Sequence, residues 1–272
     1  MESWNKIIWV CLLLVLTSCT IHRNKEIKYK AYIINLAKST ERMDAAKAQL
    51  QKHNIPFERF EAVDGYKIEI TDIKSGKKYK GEDLKDDNFK LKRWDKYFID
   101  CKTIPEANFT YFRTKKYKLT AGELGCMCSH RTVLAKAIKE KLDVVLVFED
   151  DVVIKSNDFT FLLYSAINQI PRNSAIFLDA HGPDVEYVKR NQRSSKLYIK
   201  LTGPEIYGNY AVIYDVMAAK KVVGIKEEIM PIDNRVGAMI NANEIRGYIF
   251  NKDIVTYDTT LGSHIKEMGR PH

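Results

Sequence analysis

The 272-residue chain has little of what marks several common classes of protein. Its five cysteines, at positions 11, 19, 101, 126 and 128, form no C-x-x-C pair, no zinc-ligand spacing and no disulfide framework of even count. Cys126 and Cys128 are too close to bridge comfortably within a helix, so the cysteines read as reduced core residues with no metal role. There is no internal repeat, no P-loop and no low-complexity tract, which leaves repeat arrays and P-loop nucleotide binding without support. The apolar run at 7–16, IIWVCLLLVL, is too short by itself to span a bilayer, which takes about 20 residues. Acids are also short: 35 Asp and Glu against 44 Lys and Arg leave a net charge of +9. That excess points to an anionic partner, whether a nucleotide diphosphate, a phosphorylated glycan, an anionic membrane surface or a nucleic acid, and charge alone does not choose among them.

What is present is a sizeable apolar fraction, 45%, enough for one large α/β domain or two small ones and inconsistent with a disordered or fibrous chain. The most informative stretch is Val144-Val145-Leu146-Val147-Phe148-Glu149-Asp150-Asp151. An uninterrupted β-branched and aromatic run reads as a strand buried on both faces, as in parallel α/β sheets. Its three acids fall at the carboxyl end, the edge where open α/β sheets bind ligands. Adjacent like charges repel unless water or a cation compensates them, and a hard divalent ion with oxygen ligands does so well.

At the N-terminus, the length of the 7–16 run suits the hydrophobic core of a secretion signal, and Leu16-Thr17-Ser18-Cys19 resembles the lipobox of bacterial lipoproteins. Lys6 is the one basic side chain before the run, whereas Arg23, Lys25, Lys28 and Lys30 follow it, an asymmetry that would hold an uncleaved anchor's domain in the cytoplasm. These readings place the domain on opposite faces of the membrane: a periplasmic lipoprotein if Cys19 is lipidated, a membrane-associated cytoplasmic domain otherwise. Either way, residues 1–27 stand apart from a single domain over 28–272.

Along that domain, residues 32–36 read as a first strand and a helix follows from about Thr40, with Met43, Ala46 and Leu50 on one face, ended by Asn54 and Pro56. A second strand at 57–63 meets the Asp64-Gly65 turn, and this β-α-β order predicts a parallel pair. Residues 67–118 are Lys-rich with scattered aromatics and read as a charged surface insertion with a small satellite cluster. With no recognition motif in the insertion, no nucleic-acid partner is expected. Thr120-Ala121-Gly122-Glu123 is a capping box opening a long helix, whose Gly122 and Gly125 suggest a close backbone approach. Ser129-His130-Arg131, one turn on, reads by itself as a satisfied, partly buried polar cluster. Further elements are predicted as a helix over 158–169, a strand over 175–178, an exposed basic loop over 184–196, a strand over 208–214, an Asp215-capped helix, a helix or turn from Pro231, and late strands at 249–250 and 254–257.

In this order the blocks Ile34-Asn35-Leu36 with Arg42, Ala62-Val63-Asp64-Gly65, Gly122-Glu123-Leu124-Gly125-Cys126 with Ser129-His130, and Phe148-Glu149-Asp150-Asp151 resemble glycosyltransferase family 25, whose bacterial members build lipopolysaccharide outer-core glycans. Gly208 to Tyr214 and Pro231-Ile232-Asp233 form a weaker fifth block. Asn209 stands where the resemblance leads one to expect threonine, and the segment between Gly65 and Thr120 is longer than expected.

The resemblance implies a GT-A-like α/β sandwich of Rossmann type with a mostly parallel central sheet. It implies an inverting transfer of a hexose from a UDP-sugar or other nucleotide-sugar donor to a glycan or glycolipid acceptor. Mn²⁺ or Mg²⁺ would be held by Glu149 and Asp151, with His264 of the C-terminal tail a further ligand or simply an exposed side chain. Ile33, Asn35 and Asp64 are placed to hold uridine and ribose, Asp150 ribose or sugar hydroxyls, and Arg42 either faces a phosphate or sits on a solvated helix face. Gly122, Glu123 and His130 join this donor group. The base that takes the acceptor proton is sought among Asp233, Asp179 and Glu205, with Asp233 preferred. The competing expectation is a non-catalytic membrane lipoprotein that retains the fold as a glycan-binding module.

Overall fold

The structure is a computed structural model and describes residues 26–85, 95–114, 119–191 and 197–260. The N-terminal apolar run, the lipobox-like sequence and His264 lie outside the described residues, and no described helix is long and apolar enough to cross a membrane.

Strand β7 (Val144–Glu149) is an interior strand of a seven-stranded sheet and is buried along its apolar length. Its neighbours are β1 (Tyr29–Asn35), which runs parallel to it, and β11 (Ala211–Asp215), which runs antiparallel. Beyond β1 lies β2 (Phe57–Glu61), also parallel. Beyond β11 lie β9 (Ser174–Phe177), β13 (Arg246–Phe250) and the antiparallel edge β10 (Tyr198–Lys200). Five strands share one direction, with β11 and β10 reversed, so the sheet is mostly parallel and β1 and β2 form a parallel pair, both as expected.

Burial on both faces follows from the two-residue period of an extended chain. Val145 and Val147 point into one core, whereas Val144, Leu146 and Phe148 point into the other. Each fully buried side chain of this kind stabilises the fold by about 1.5–3 kcal/mol. Helix α1 (Thr40–Lys52) covers the second core with Ala46 and Leu50, as its spacing predicts, together with α3 (Phe159–Gln169). The first core is covered by α2 (Ala121–Lys139), by α5 (Val216–Gly224), capped by Asp215 on the Met217 amide, and by α6 (Ile232–Asn241).

Three expectations are corrected. The segment 184–196 is not a basic loop over its first part: Pro183–Asn191 forms helix α4, because Val185 and Val188, three residues apart, bury one face. The insertion is more than a surface excursion with its own satellite cluster. Its strands β3 (Glu69–Asp72), β4 (Lys78–Lys80), β5 (Lys96–Asp100) and β6 (Phe109–Phe112) join β12 (Glu227–Glu228) in a second sheet. Alternate residues Tyr97, Ile99, Phe109 and Tyr111 merge into the core beneath α2. Lastly, Cys101, just past β5, is disulfide-bonded to Cys128 in the middle of α2 across 27 residues of sequence, with a Cα–Cα distance of 5.3 Å. Helical neighbours at i and i+2 do not bridge, but the insertion doubles back and brings in a partner from outside the helix; Cys126 stays free.

The insertion sheet, α2 and α5 also meet at Arg131, which is fully buried. It donates to the carbonyls of Ala107, Val222, Val223 and Ile225 and pairs with the equally buried Glu228 at 3.1 Å. These bonds satisfy carbonyls at the end of α5 that the helix itself leaves open.

At the N-terminal end of α2 the packing is backbone against backbone. A Cβ on Gly65 would lie 1.7 Å from the Ala121 carbonyl oxygen, and one on Gly125 would lie 2.7 Å from that of Val63. Ser129 closes the contact, accepting from the Val63 amide and donating to the Gly125 carbonyl. Gly65→Ala is therefore expected to destabilise the protein by about 3 kcal/mol, read as a lowered urea midpoint; an unchanged midpoint would contradict the close contact.

Candidate active site

The carboxyl ends of β1 and β7, the turn after β2 and the first turns of α2 enclose one cleft. It is lined by Ile34, Leu36, Lys38, Arg42, the 62–66 turn, Gly122, Gly125, Cys126, Ser129, His130 and the acids Glu149, Asp150 and Asp151. Parallel pairing at Ile34↔Glu149 sets the ends of the two strands level, so residues 115 positions apart meet.

Asp150 is buried and both of its oxygens are engaged. One accepts from Asn35 Nδ2 at 2.7 Å, and the other from Arg42 Nε at 2.7 Å and from its terminal nitrogen at 2.5 Å. Asn35 is fixed in turn, donating also to the Ser39 carbonyl and accepting from Arg59 Nε. Arg42 reaches a second acid, Asp151, at 3.2 Å. Burial works against its charge, but Asp150 and Asp151 outweigh that and make the guanidinium more basic than usual. Arg42 is therefore neither on a solvated helix face nor free to meet a phosphate directly in this arrangement.

Asp151 is less well compensated. Its Oδ1 is buried without a hydrogen-bond partner. Burial first, then the charge of Glu149, push its pKa up to about 7, against the partial relief given by Arg42. Glu149 lies across from α2, with Oε1 3.0 Å from His130 Nε2; His130 is buried and its Nδ1 has no partner. Cys126, one turn before His130, completes this wall. Burial holds its thiol well above the usual range, reinforced by Glu149 and Asp233. With an orphaned carboxylate oxygen and two adjacent acids, Glu149 and Asp151 fit a hard divalent cation.

The other sequence-derived residues divide clearly. Asp64 and Gly122 line the cleft. Ile33 points the other way, into the α1–α3 core, and its neighbour Ile34 faces the cleft, a consequence of strand alternation. Glu123 accepts from the Thr120 amide as the capping-box partner. Asp179, past β9, is bound by Lys189 at 2.8 Å and by the Tyr210 hydroxyl at 2.7 Å. Glu205 is exposed. Asp233, in the first turn of α6, is raised above the usual carboxylate range by burial and then by Glu149, with the amides of Asn234 and Gly208 opposing the shift.

Sequence reading assigned no site role to four residues. Lys38 offers an exposed cation at the rim; its position just past a strand end was the available signal. Arg59 orients Asn35, and Cys126 sits in the wall. Asn209, buried beside the end of β7, has neither amide atom partnered. Nothing in its spacing marked Arg59, whereas Cys126 and Asn209 fall within the resembling blocks but drew no role from them.

Because Asp151 carries its raised pKa only when folded, it favours folding fully below its ordinary value of 3.8, and that contribution is lost as pH rises through about 7. Asp151→Asn should thus match the wild-type melting temperature near about pH 4 and exceed it by a few degrees near about pH 8, without added metal. A constant gap across that range would contradict the assigned frustration.

Residues 28–234 match the family model described as glycosyltransferase family 25 (LPS biosynthesis protein). A Haemophilus influenzae protein named as a glycosyltransferase is 29% identical over 126 residues, 46% of this chain and 33% of that protein. Human procollagen galactosyltransferase 2 is 23% identical over 221 residues, 80% of this chain and 31% of the human one. The chain thus spans about a third of the length of these curated relatives. A solved Thermus thermophilus structure, titled mannose-1-phosphate geranyltransferase, aligns over 86% of this chain and 77% of its own. The identity is 9% and the TM-score 0.35, a likeness that carries no conclusion.

Proposed function

Since the chain belongs to glycosyltransferase family 25, we propose that its cleft binds a nucleotide-sugar donor and passes the sugar, with inversion, to a hydroxyl of a surface glycan such as lipopolysaccharide. The observation that carries this reading is the uncompensated acid at the end of β7: Asp151 Oδ1, buried and unpartnered beside Glu149. Glu149 and Asp151 would hold Mn²⁺ or Mg²⁺, which when bound neutralises the charge on the departing diphosphate.

The remaining roles belong to the chain itself. Lys38 at the rim supplies a cation to the phosphates, and the Asp64–Gly65 turn, held against α2 by backbone contact, forms the wall for the nucleoside of a UDP-sugar. Asp150 acts indirectly: by engaging Asn35 and Arg42 it fixes the β1–α1 corner, and Arg42 tempers the charge of Asp151. Asn209, with an unpartnered donor and acceptor, suits a sugar hydroxyl. Asp233 is the preferred base for the acceptor proton, because burial raises its proton affinity while Asp179 is already committed to Lys189 and Tyr210.

A second reading, a non-catalytic lipoprotein that keeps the fold as a glycan-binding module, draws support from the Cys101–Cys128 disulfide, since such bonds persist in oxidising compartments outside the cytosol. Release of nucleoside diphosphate separates the two. Across a panel of nucleotide sugars with a glycan acceptor, one donor should turn over with Mn²⁺ and stop with EDTA, and Asp151→Asn should fall by about 100-fold or more. A folded protein that binds and turns over no donor would instead favour the lipoprotein reading.

A further inference from the structure

The wall of the cleft opposite Asp151 has a donor set unlike that of its oxygen-rich side. Cys126 and His130 are four residues apart on α2, so their side chains share one face, and that face looks onto Glu149 at the end of β7. The Cys126 sulfur, a ring nitrogen of His130 and a carboxylate oxygen of Glu149 all lie within 4.8 Å of one another. Each of the three offers one ligand atom to a shared ion. His130 is 1% exposed and its second ring nitrogen is buried without a partner, so the imidazole is held in the wall with hydrogen-bonding capacity unused.

Hard ions such as Mg²⁺ and Mn²⁺ select oxygen, whereas one thiolate, one imidazole and one carboxylate form the borderline-soft set that suits zinc. Three protein ligands with a fourth position facing a cleft also match the open coordination of accessible zinc sites. We propose that Cys126, His130 and Glu149 form a second metal site, selective for a thiophilic divalent ion such as Zn²⁺. Because Glu149 belongs to both walls of the cleft, occupancy here excludes the hard ion from its full ligand set, and the two classes of ion compete. Binding exchanges the thiol proton for the metal and changes no oxidation state. The competition with the hard ion rests on the sugar-transfer reading, whereas the Cys126, His130 and Glu149 site stands on its own geometry.

Co²⁺ serves as the visible probe for Zn²⁺ in the full chain carrying Cys11→Ser and Cys19→Ser, where Cys126 is the thiol left outside the disulfide. A near-ultraviolet thiolate-to-cobalt charge-transfer band should saturate at one ion per chain, vanish on adding Zn²⁺, and be absent once Cys126→Ser is added. No band, or the same band without Cys126, would overturn the proposal. X-ray absorption of the Zn²⁺-loaded protein with Cys126 intact requires no further variant: a sulfur neighbour at about 2.3 Å is expected, and a shell of nitrogen and oxygen alone would refute the site. Both readouts report binding without donor or acceptor, so their failure leaves the transferase reading standing, and an inactive transferase leaves them standing.

Discussion

Three successive carboxylates at the end of a strand buried on both faces repel one another, and much of the surrounding structure answers that repulsion. Packing on both faces holds β7 in place, so its acids cannot spread apart by bending away. Asp150 has both oxygens engaged, by Arg42 and Asn35. Glu149 is met by His130. Asp151 is left with one orphaned oxygen and only a share of Arg42. The compensation is thus graded across three adjacent residues, and the residual charge falls at the mouth of the cleft. A folded protein that tolerates such a group gives up stability at neutral pH for a site prepared to meet positive charge.

Helix α2 connects this site to the rest of the molecule. Its first turns touch the Asp64–Gly65 turn through backbone atoms, which is why glycine stands at both 65 and 125. Its middle presents Cys126 and His130 to the acids on one face and Cys128 to the insertion sheet on another. One turn further, Arg131 ties the helix to the insertion, to the end of α5 and to β12 through five hydrogen bonds. A rigid helix fixed at three points holds the His130 ring at a set distance from Glu149, with little freedom left to a loop. The +9 charge of the chain does not gather in the cleft, whose lining cations are Lys38 and Arg42, the latter already paired with acids. The surplus lies elsewhere on the chain.

Much of the fold was legible in the sequence because local chemistry decided it. The run into Glu149-Asp150-Asp151 could only be a buried strand with acids at its end, the Thr120–Glu123 box opened α2, and the β1–α1–β2 order forced a parallel pair. The charged insertion was misjudged because its apolar residues alternate within short strands diluted by lysine, and their burial depends on α2, which follows them in sequence. Asp179 and Asp233 both stood as candidate bases, acids after strand or turn signals, with Asp233 preferred. Only packing distinguishes the one bound by Lys189 and Tyr210 from the one buried near Glu149.

By itself, then, the sequence determined which residue types crowd the cleft: the acids, the capped glycine-bearing helix and the turn that receives it, all set by short-range periodicity and backbone sterics. The tertiary structure decided their states. Which of three adjacent acids is satisfied depends on a register that levels β1 with β7 and brings Asn35 and Arg42 to Asp150 across more than a hundred residues. Which cysteine is free depends on how the insertion folds back to deliver Cys101. Charge compensation and disulfide pairing are properties of distances between remote segments, and those distances exist only once the chain has packed.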